Sequence, residues 1–106
     1  MRQFTPTQLK SRLEQDGEQP LLLDVREPWE FDLCAIENSR LIPMGEIAAR
    51  IDSLDPEKET VVICHHGIRS RSVAMFMERH GFNDVINLNG GVEAWSREVD
   101  LDMPTY

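Results

Sequence analysis

The chain has 106 residues, 41% of them apolar and 28% charged, which is enough for one packed domain and too few for two independent cores. Its net charge of −8, from 19 acidic and 11 basic side chains, argues against a nucleic-acid binder, which needs a basic face to displace counterions from phosphates. Two cysteines make no disulfide framework, no apolar run reaches the ~20 residues of a membrane span, and no signal-like apolar segment follows Met1, so the expectation is a reduced, cytoplasmic protein without membrane contact.

Thr5-Pro6-Thr7-Gln8 has the form of a helix start, with Thr5 as N-cap, Pro6 at the first helical position and Gln8 completing a capping box. Leu9 and Leu13 share one face of that helix, and Gly17 is its expected stop. "LLLDV", residues 21–25, is a continuous apolar run broken by one aspartate, the pattern of a strand buried on both faces of a parallel sheet. "EPWEF" opens a short helical turn at Pro28, and "RLIP" reads as a second short strand ended by Pro43. Met44, Ile47, Ala48, Ile51 and Leu54 carry the spacing of an amphipathic helix. "TVVIC" is the clearest strand; Val73, Phe76, Met77 and His80 then follow helical spacing closed by Gly81, with His80 at a helix end. "VINLN" is the last strand, Gly90-Gly91 a turn and "VEAWSREV" a terminal helix. Alternating strands and helices predict one α/β domain over residues 1–106, with a mostly parallel sheet covered on both faces. Ligands of such sheets bind beyond the carboxyl ends of the strands, where Cys64 stands.

The junction "VVICHHGIRSRSVAMF", residues 61–76, places a cysteine, two histidines, a glycine and two arginines between a strand and a helix. A loop of this kind can curl its N–H groups into an anion-binding nest at the positive end of the helix dipole, and that field favours thiolate over thiol at Cys64. Gly67 suits a tight loop that needs one residue free to take φ > 0. Arg69 and Arg71 oppose the dipole unless an anion sits between them and the amides, so the sequence predicts an electropositive site around the sulfur. The alternative, an inert cysteine ending a buried strand, leaves the glycine and the clustered charge without a purpose. Cys64-His65-His66 lacks the second ligand pair of a structural metal site, so no metal and no cofactor is expected.

At this point the chain resembles a single-domain rhodanese, a sulfurtransferase module. "LLLDVREPWEF" resembles the family's first motif, "CHHGIRS" its active-site loop, and "VINLNGGVEAW" its terminal signature, in the same order and along nearly the whole chain. The resemblance implies a five-stranded parallel sheet between helices and a thiosulfate sulfurtransferase-like enzyme. Cys64 would be the catalytic nucleophile and carry a persulfide. The loop of His65, His66, Gly67, Ile68, Arg69 and Ser70 would cradle it, and Asp24 and Arg26 would brace the loop. The implied partners are a small anionic sulfur donor and a thiol or cyanide acceptor, with a sulfur-carrier protein as a further candidate. The chain departs from the family at "CAIENSRLIP", where glycine and proline are usual. Cys34 there has apolar and acidic neighbours, so packing is favoured over a resolving role.

The same residues are compatible with two rival functions. A persulfide carrier or rhodanese-like partner-binding module would use the same loop, although binding modules commonly lack the cysteine. A cysteine phosphatase or arsenate reductase needs C-x5-R, and the sixth residue after Cys64 is Ser70, with arginines on either side of that position.

Overall fold

Thr5 caps the first helix, α1 (Pro6–Leu13), as its sequence requires, in the computed structural model, which describes residues 1–106. The Gln8 amide donates to Thr5 Oγ1 at 3.2 Å, and the Thr5 amide donates to Gln8 Oε1 at 2.8 Å, so the capping box closes in both directions. The helix stops at Leu13 with Glu14 as C-cap, earlier than Gly17; that glycine takes φ +97° in the turn beyond.

Five strands form one sheet in the order β1-β5-β4-β2-β3: β1 (Arg2–Phe4), β2 (Leu21–Asp24), β3 (Arg40–Leu41), β4 (Thr60–Ile63) and β5 (Val85–Leu88). All four ladders are parallel. β4 lies at the centre, and each of its residues is buried, because both faces of a central parallel strand are covered. β1 carries no strand signal in the sequence: it is three residues long, lies at the edge, and exposes Arg2 and Gln3. Pairing with β5 across Arg2–Ile86 to Phe4–Leu88, not its own composition, makes it a strand.

The remaining helices are α2 (Pro28–Leu33), α3 (Ile47–Arg50), α4 (Ile68–Arg79) and α5 (Gly91–Glu98). The amphipathic helix expected over residues 44–54 is broken into a 3-10 turn at Met44–Glu46, the single turn α3, and a second 3-10 turn at Ile51–Ser53. Only Ile47, Ile51 and Leu54 of its stripe reach the core, while Met44 and Ala48 face outward. Two cores flank the sheet. One joins Leu23, Val62 and Cys64 to Ile47, Ile51, Val73 and Met77 beneath α3 and α4. The other joins Leu22, Val61, Ile63 and Ile86 to Leu9, Val92, Trp95 and Met103 beneath α1 and α5. Full burial of each such side chain contributes roughly 1.5–3 kcal/mol.

Register positions the site. β2 and β4 are neighbours with Asp24 beside Ile63, so their carboxyl ends open side by side. α2 leaves from one end and the Cys64 loop from the other, making a crevice of the sort in which parallel sheets hold ligands. No helix is long and apolar enough to cross a membrane.

Candidate active site

Cys64 follows the central strand and is 2% exposed. Its Sγ accepts the Gly67 N–H at 3.0 Å and lies 3.3 Å from Ser70 Oγ. The amides of His65, His66, Ile68 and Arg69 donate to no group of the chain, so they are free to bond solvent or an anion. Gly67 is the N-cap of α4 at φ +96°, and a Cβ there would meet the Gly90 amide nitrogen at 3.0 Å and the Leu88 carbonyl oxygen at 3.3 Å. Both backbone conformation and space therefore demand glycine.

The loop is held from behind by α5. The Val92 and Glu93 amides donate to the Cys64 and His65 carbonyls at 2.9 and 3.1 Å. A Cβ on Gly91 would overlap those same two carbonyls, so Gly91 is what lets the helix N-terminus approach the loop. This is a physical reason for the paired glycines in "NGGVEAW".

Ser70 and Asn87 extend the sulfur's contacts into the sheet. Ser70 Oγ makes a short hydrogen bond to Asn87 Oδ1, and Asn87 Nδ2 donates to the Gly67 carbonyl at 3.3 Å and to Gln3 Oε1 at 3.1 Å. Asn87 is not among the site residues the sequence predicts. A polar side chain inside a strand buried on both faces, "VINLN", was the available signal, because such a group must find partners.

The positive cluster expected around Cys64 is largely compensated. Arg69 forks onto Glu30, with Nη1–Oε1 at 2.7 Å and Nη2–Oε2 at 2.8 Å. Glu30 lies on α2, is 4% exposed, and also accepts the Tyr106 hydroxyl at 2.6 Å. Hydrogen bonds from Arg69 drive its pKa down to about 2 against the effect of burial, with Tyr106 and the Glu27 amide assisting. The same bond to Glu30 raises the Arg69 pKa and keeps its charge fixed. His66 Nε2 stands 3.0 Å from Glu93 Oε2. His65 is pushed toward neutrality, by burial first and then by His66. Arg71 is exposed and has no acidic partner within salt-bridge distance.

Asp24 and Arg26 form no hydrogen bond with residues 64–70, so the bracing expected of them falls elsewhere. Arg26, fully buried, takes both carboxylate oxygens of Asp24 at 2.8–3.1 Å. It also donates to the carbonyls of Cys34 at 2.6 Å and Glu30 at 3.3 Å, and to the Tyr106 hydroxyl at 3.0 Å. Burial opposes its charge, but the bonds to Asp24 and Tyr106 prevail and raise its pKa. It therefore ties the end of α2 to the C-terminal segment. Tyr106 completes the layer: its ring stacks on His65 at 3.8 Å and meets Trp29 edge-on at 5.8 Å. Burial, followed by the Glu30 carboxylate, pushes the Tyr106 phenol up to about 12. Nothing in the sequence marked Tyr106.

Cys34 packs in the α1/α5 core, whereas Cys64 belongs to the α3/α4 core, and both are free thiols. Where the family usually has glycine and proline, Asn38 turns the chain at φ +69°, a left-handed conformation that asparagine tolerates. A surface hollow of about 510 Å³ is lined by residues including Leu13, Ile36, Trp95 and Met103 and holds no nucleophile. The chemistry points to the loop instead.

This fold and this loop define a class. The rhodanese-like domain family matches residues 5–98, and the chain belongs to that family. It is 37% identical over 99 residues to a putative sulfurtransferase, YtwF, of Bacillus subtilis, covering 93% of this chain and 94% of that protein. Against the thiosulfate sulfurtransferase GlpE of Pseudomonas aeruginosa strain PAO1 it is 35% identical over 99 residues, covering 93% of this chain and 87% of GlpE. A rhodanese-like domain protein of Staphylococcus aureus superposes with a TM-score of 0.85 at 29% identity, over 100% of this chain and 99% of that one. Other relatives are longer: the chain spans 30% of the rhodanese-like/PpiC domain-containing protein 12 of Arabidopsis thaliana, at 42% identity over 89 residues that make up 80% of this chain. It spans 26% of the probable adenylyltransferase/sulfurtransferase MoeZ of Mycobacterium tuberculosis, at 33% identity over 97% of this chain.

Proposed function

We propose that the chain is a single rhodanese domain that moves a sulfane sulfur from a donor such as thiosulfate to a thiol or cyanide acceptor through a persulfide on Cys64. The observation that carries this reading is a cysteine sulfur at the mouth of a loop whose amides have no other acceptor. In the first half-reaction the Cys64 thiolate attacks the outer sulfur of thiosulfate. The new Cys64 Sγ–S bond forms as the S–S bond of the donor breaks, and sulfite leaves with that electron pair. In the second, the acceptor attacks the terminal sulfur, cyanide leaving as thiocyanate, and Cys64 returns as thiolate. The charges balance at each step and no cofactor takes part.

The residues divide the work. Gly67 N–H and the free loop amides stabilise negative charge on Cys64 and then on the persulfide. As a thiol, Cys64 donates to Ser70, which donates to Asn87; once the sulfur is ionised, the Ser70 hydroxyl is the side chain placed to turn toward it. Asp24 and Arg26 act through structure, not chemistry. A sulfur-carrier protein is a further candidate acceptor. A phosphatase reading gains no support: Ser70 fills the position where an oxyanion-clamping arginine would stand, and Arg69 is bound to Glu30.

The test is sulfur transfer to cyanide by wild type, Cys64→Ser and Cys34→Ser. Cys64→Ser should lose at least ~1000-fold in kcat/KM, or about 4 kcal/mol, while Cys34→Ser stays within about 3-fold. Equal losses in the two variants would replace this reading with a two-cysteine redox mechanism.

A further inference from the structure

The sequence places positive charge around Cys64, and the structure answers it with carboxylates. Arg69, the arginine nearest Cys64 in sequence, meets Glu30 through two parallel N–H···O bonds, and Glu30 is buried, so this pair is not a loose surface contact. His66 faces Glu93, and His65 lies sandwiched between Tyr106 and His66. Arg71 is the loop-side cation without a partner, and it is exposed to screening solvent. What meets a donor is thus a set of neutral amide dipoles on a domain of net charge −8.

We infer that Glu30 is a specificity-determining residue: by cancelling the charge of Arg69 it makes the Cys64 loop select sulfur donors that carry one negative charge or none over dianionic thiosulfate. This rests on the sulfurtransferase reading above. The preferred class is the organic persulfide or thiosulfonate. Such donors react by the same bond exchange: the Cys64 thiolate takes the outer sulfur of an alkanethiosulfonate, the S–S bond breaks, and a sulfinate leaves with its electron pair. The amides suffice for one negative charge on the transferred sulfur. A second charge on the leaving group finds only Arg71 uncompensated beside the loop, and that side chain stands in screening solvent.

The experiment compares persulfide loading of Cys64 by thiosulfate and by methanethiosulfonate, which share the outer sulfur and differ by one charge. In the wild type, raising ionic strength from about 10 mM to about 150 mM should speed thiosulfate loading more than methanethiosulfonate loading, because screening relieves repulsion. Glu30→Gln keeps an oxygen for the Glu27 amide and frees the Arg69 charge. It should raise the ratio of kcat/KM for thiosulfate over methanethiosulfonate by about 3- to 10-fold. Arg69→Gln should lower the ratio by a similar factor, and the double variant should return it to within about 2-fold of wild type. Thiosulfate loading that slows with salt in the wild type, or a ratio unmoved in Glu30→Gln, overturns the inference while leaving sulfur transfer intact. The salt measurement decides the matter even where a variant does not fold. If neither donor places sulfur on Cys64, the sulfurtransferase reading itself fails and this inference goes with it.

Discussion

Around Cys64 the contacts are mostly backbone: one N–H on the sulfur, free amides along the loop, and two α5 amides gripping the carbonyls of Cys64 and His65, with the neutral Ser70 hydroxyl the one side-chain partner of the sulfur. Around Glu30 they come from side chains that converge from four segments: Asp24 at the end of β2 with Arg26 just beyond it, Glu30 on α2, Arg69 on α4, and Tyr106 in the C-terminal segment. The first region holds the reacting atom and little side-chain charge. The second holds buried charge and, at its edge, the Cys34 thiol 3.8 Å from Arg26 Nη1, and the two regions meet at Arg69. The difference separates chemistry from stability. Damage to the loop should appear in rates, and damage to the charged layer should appear in unfolding and in its pH dependence.

The largest stability effect tests that division most harshly. Arg26→Met strands Asp24, fully buried, with only a backbone amide for its carboxylate. Loss of one partner of a buried pair costs about 3–5 kcal/mol, so the thermal midpoint should fall by more than ~12 °C. The molecules that stay folded at low temperature should keep kcat within about 3-fold. A rate loss approaching that of Cys64→Ser, with the midpoint unmoved, would erase the distinction.

Gly91→Ala attacks the boundary between α5 and the loop. The added methyl overlaps the carbonyls of Cys64 and His65, and relief requires the helix N-terminus to retreat. Chevron kinetics should show roughly 2–4 kcal/mol of destabilisation, in the range of overpacking and strain. Because the grip on the Cys64 carbonyl is lost, kcat/KM should fall about 10- to 100-fold as well, unlike Arg26→Met.

How much of this was legible follows the same line. The capping box at Thr5 and Gln8 and the buried strand within "TVVIC" are local patterns that appear where their residues predict, whereas the loop expected to run to Ser70 ends at Gly67, and Ile68, Arg69 and Ser70 form the first turn of α4. β1 carries no such signal because three edge residues, two of them exposed, have no periodicity of their own. The apolar spacing over residues 44–54 is longer than the helix that forms, because Met44 and Ala48 fit its stripe but face solvent. At the site, the arginines were visible and their partners were not. Glu30 lies 39 positions from Arg69, and only the register of β2 against β4 brings α2 to the loop. Tyr106 reaches Arg26 across 80 positions, a link that no single-sequence pattern encodes.

The smallest expected effects concern pH and sharpen the account of the charged layer. Glu30 has a folded pKa of about 2 against its ordinary 4.5, so its stabilisation is complete above about pH 4.5 and is lost as pH falls toward 2. Tyr106 runs the other way: its folded pKa of about 12 exceeds its ordinary 10.0, so its contribution is complete below pH 10 and disappears as pH rises toward 12. Tyr106→Phe should cost about 1–1.5 kcal/mol at neutral pH, one hydrogen-bonded hydroxyl's worth, and flatten that alkaline limb in urea titrations. An unchanged alkaline limb would detach Tyr106 from Glu30.

The central claim is that Cys64, and not Cys34, carries the transferred sulfur. Intact-mass and peptide-mapping mass spectrometry after incubation with a sulfane-sulfur donor, followed by addition of cyanide, tests it most directly. The account predicts a single one-sulfur adduct on the peptide containing Cys64, discharged by cyanide and absent from Cys64→Ser. An adduct on Cys34, a Cys34–Cys64 disulfide, or an unmodified Cys64 in a folded protein would contradict it.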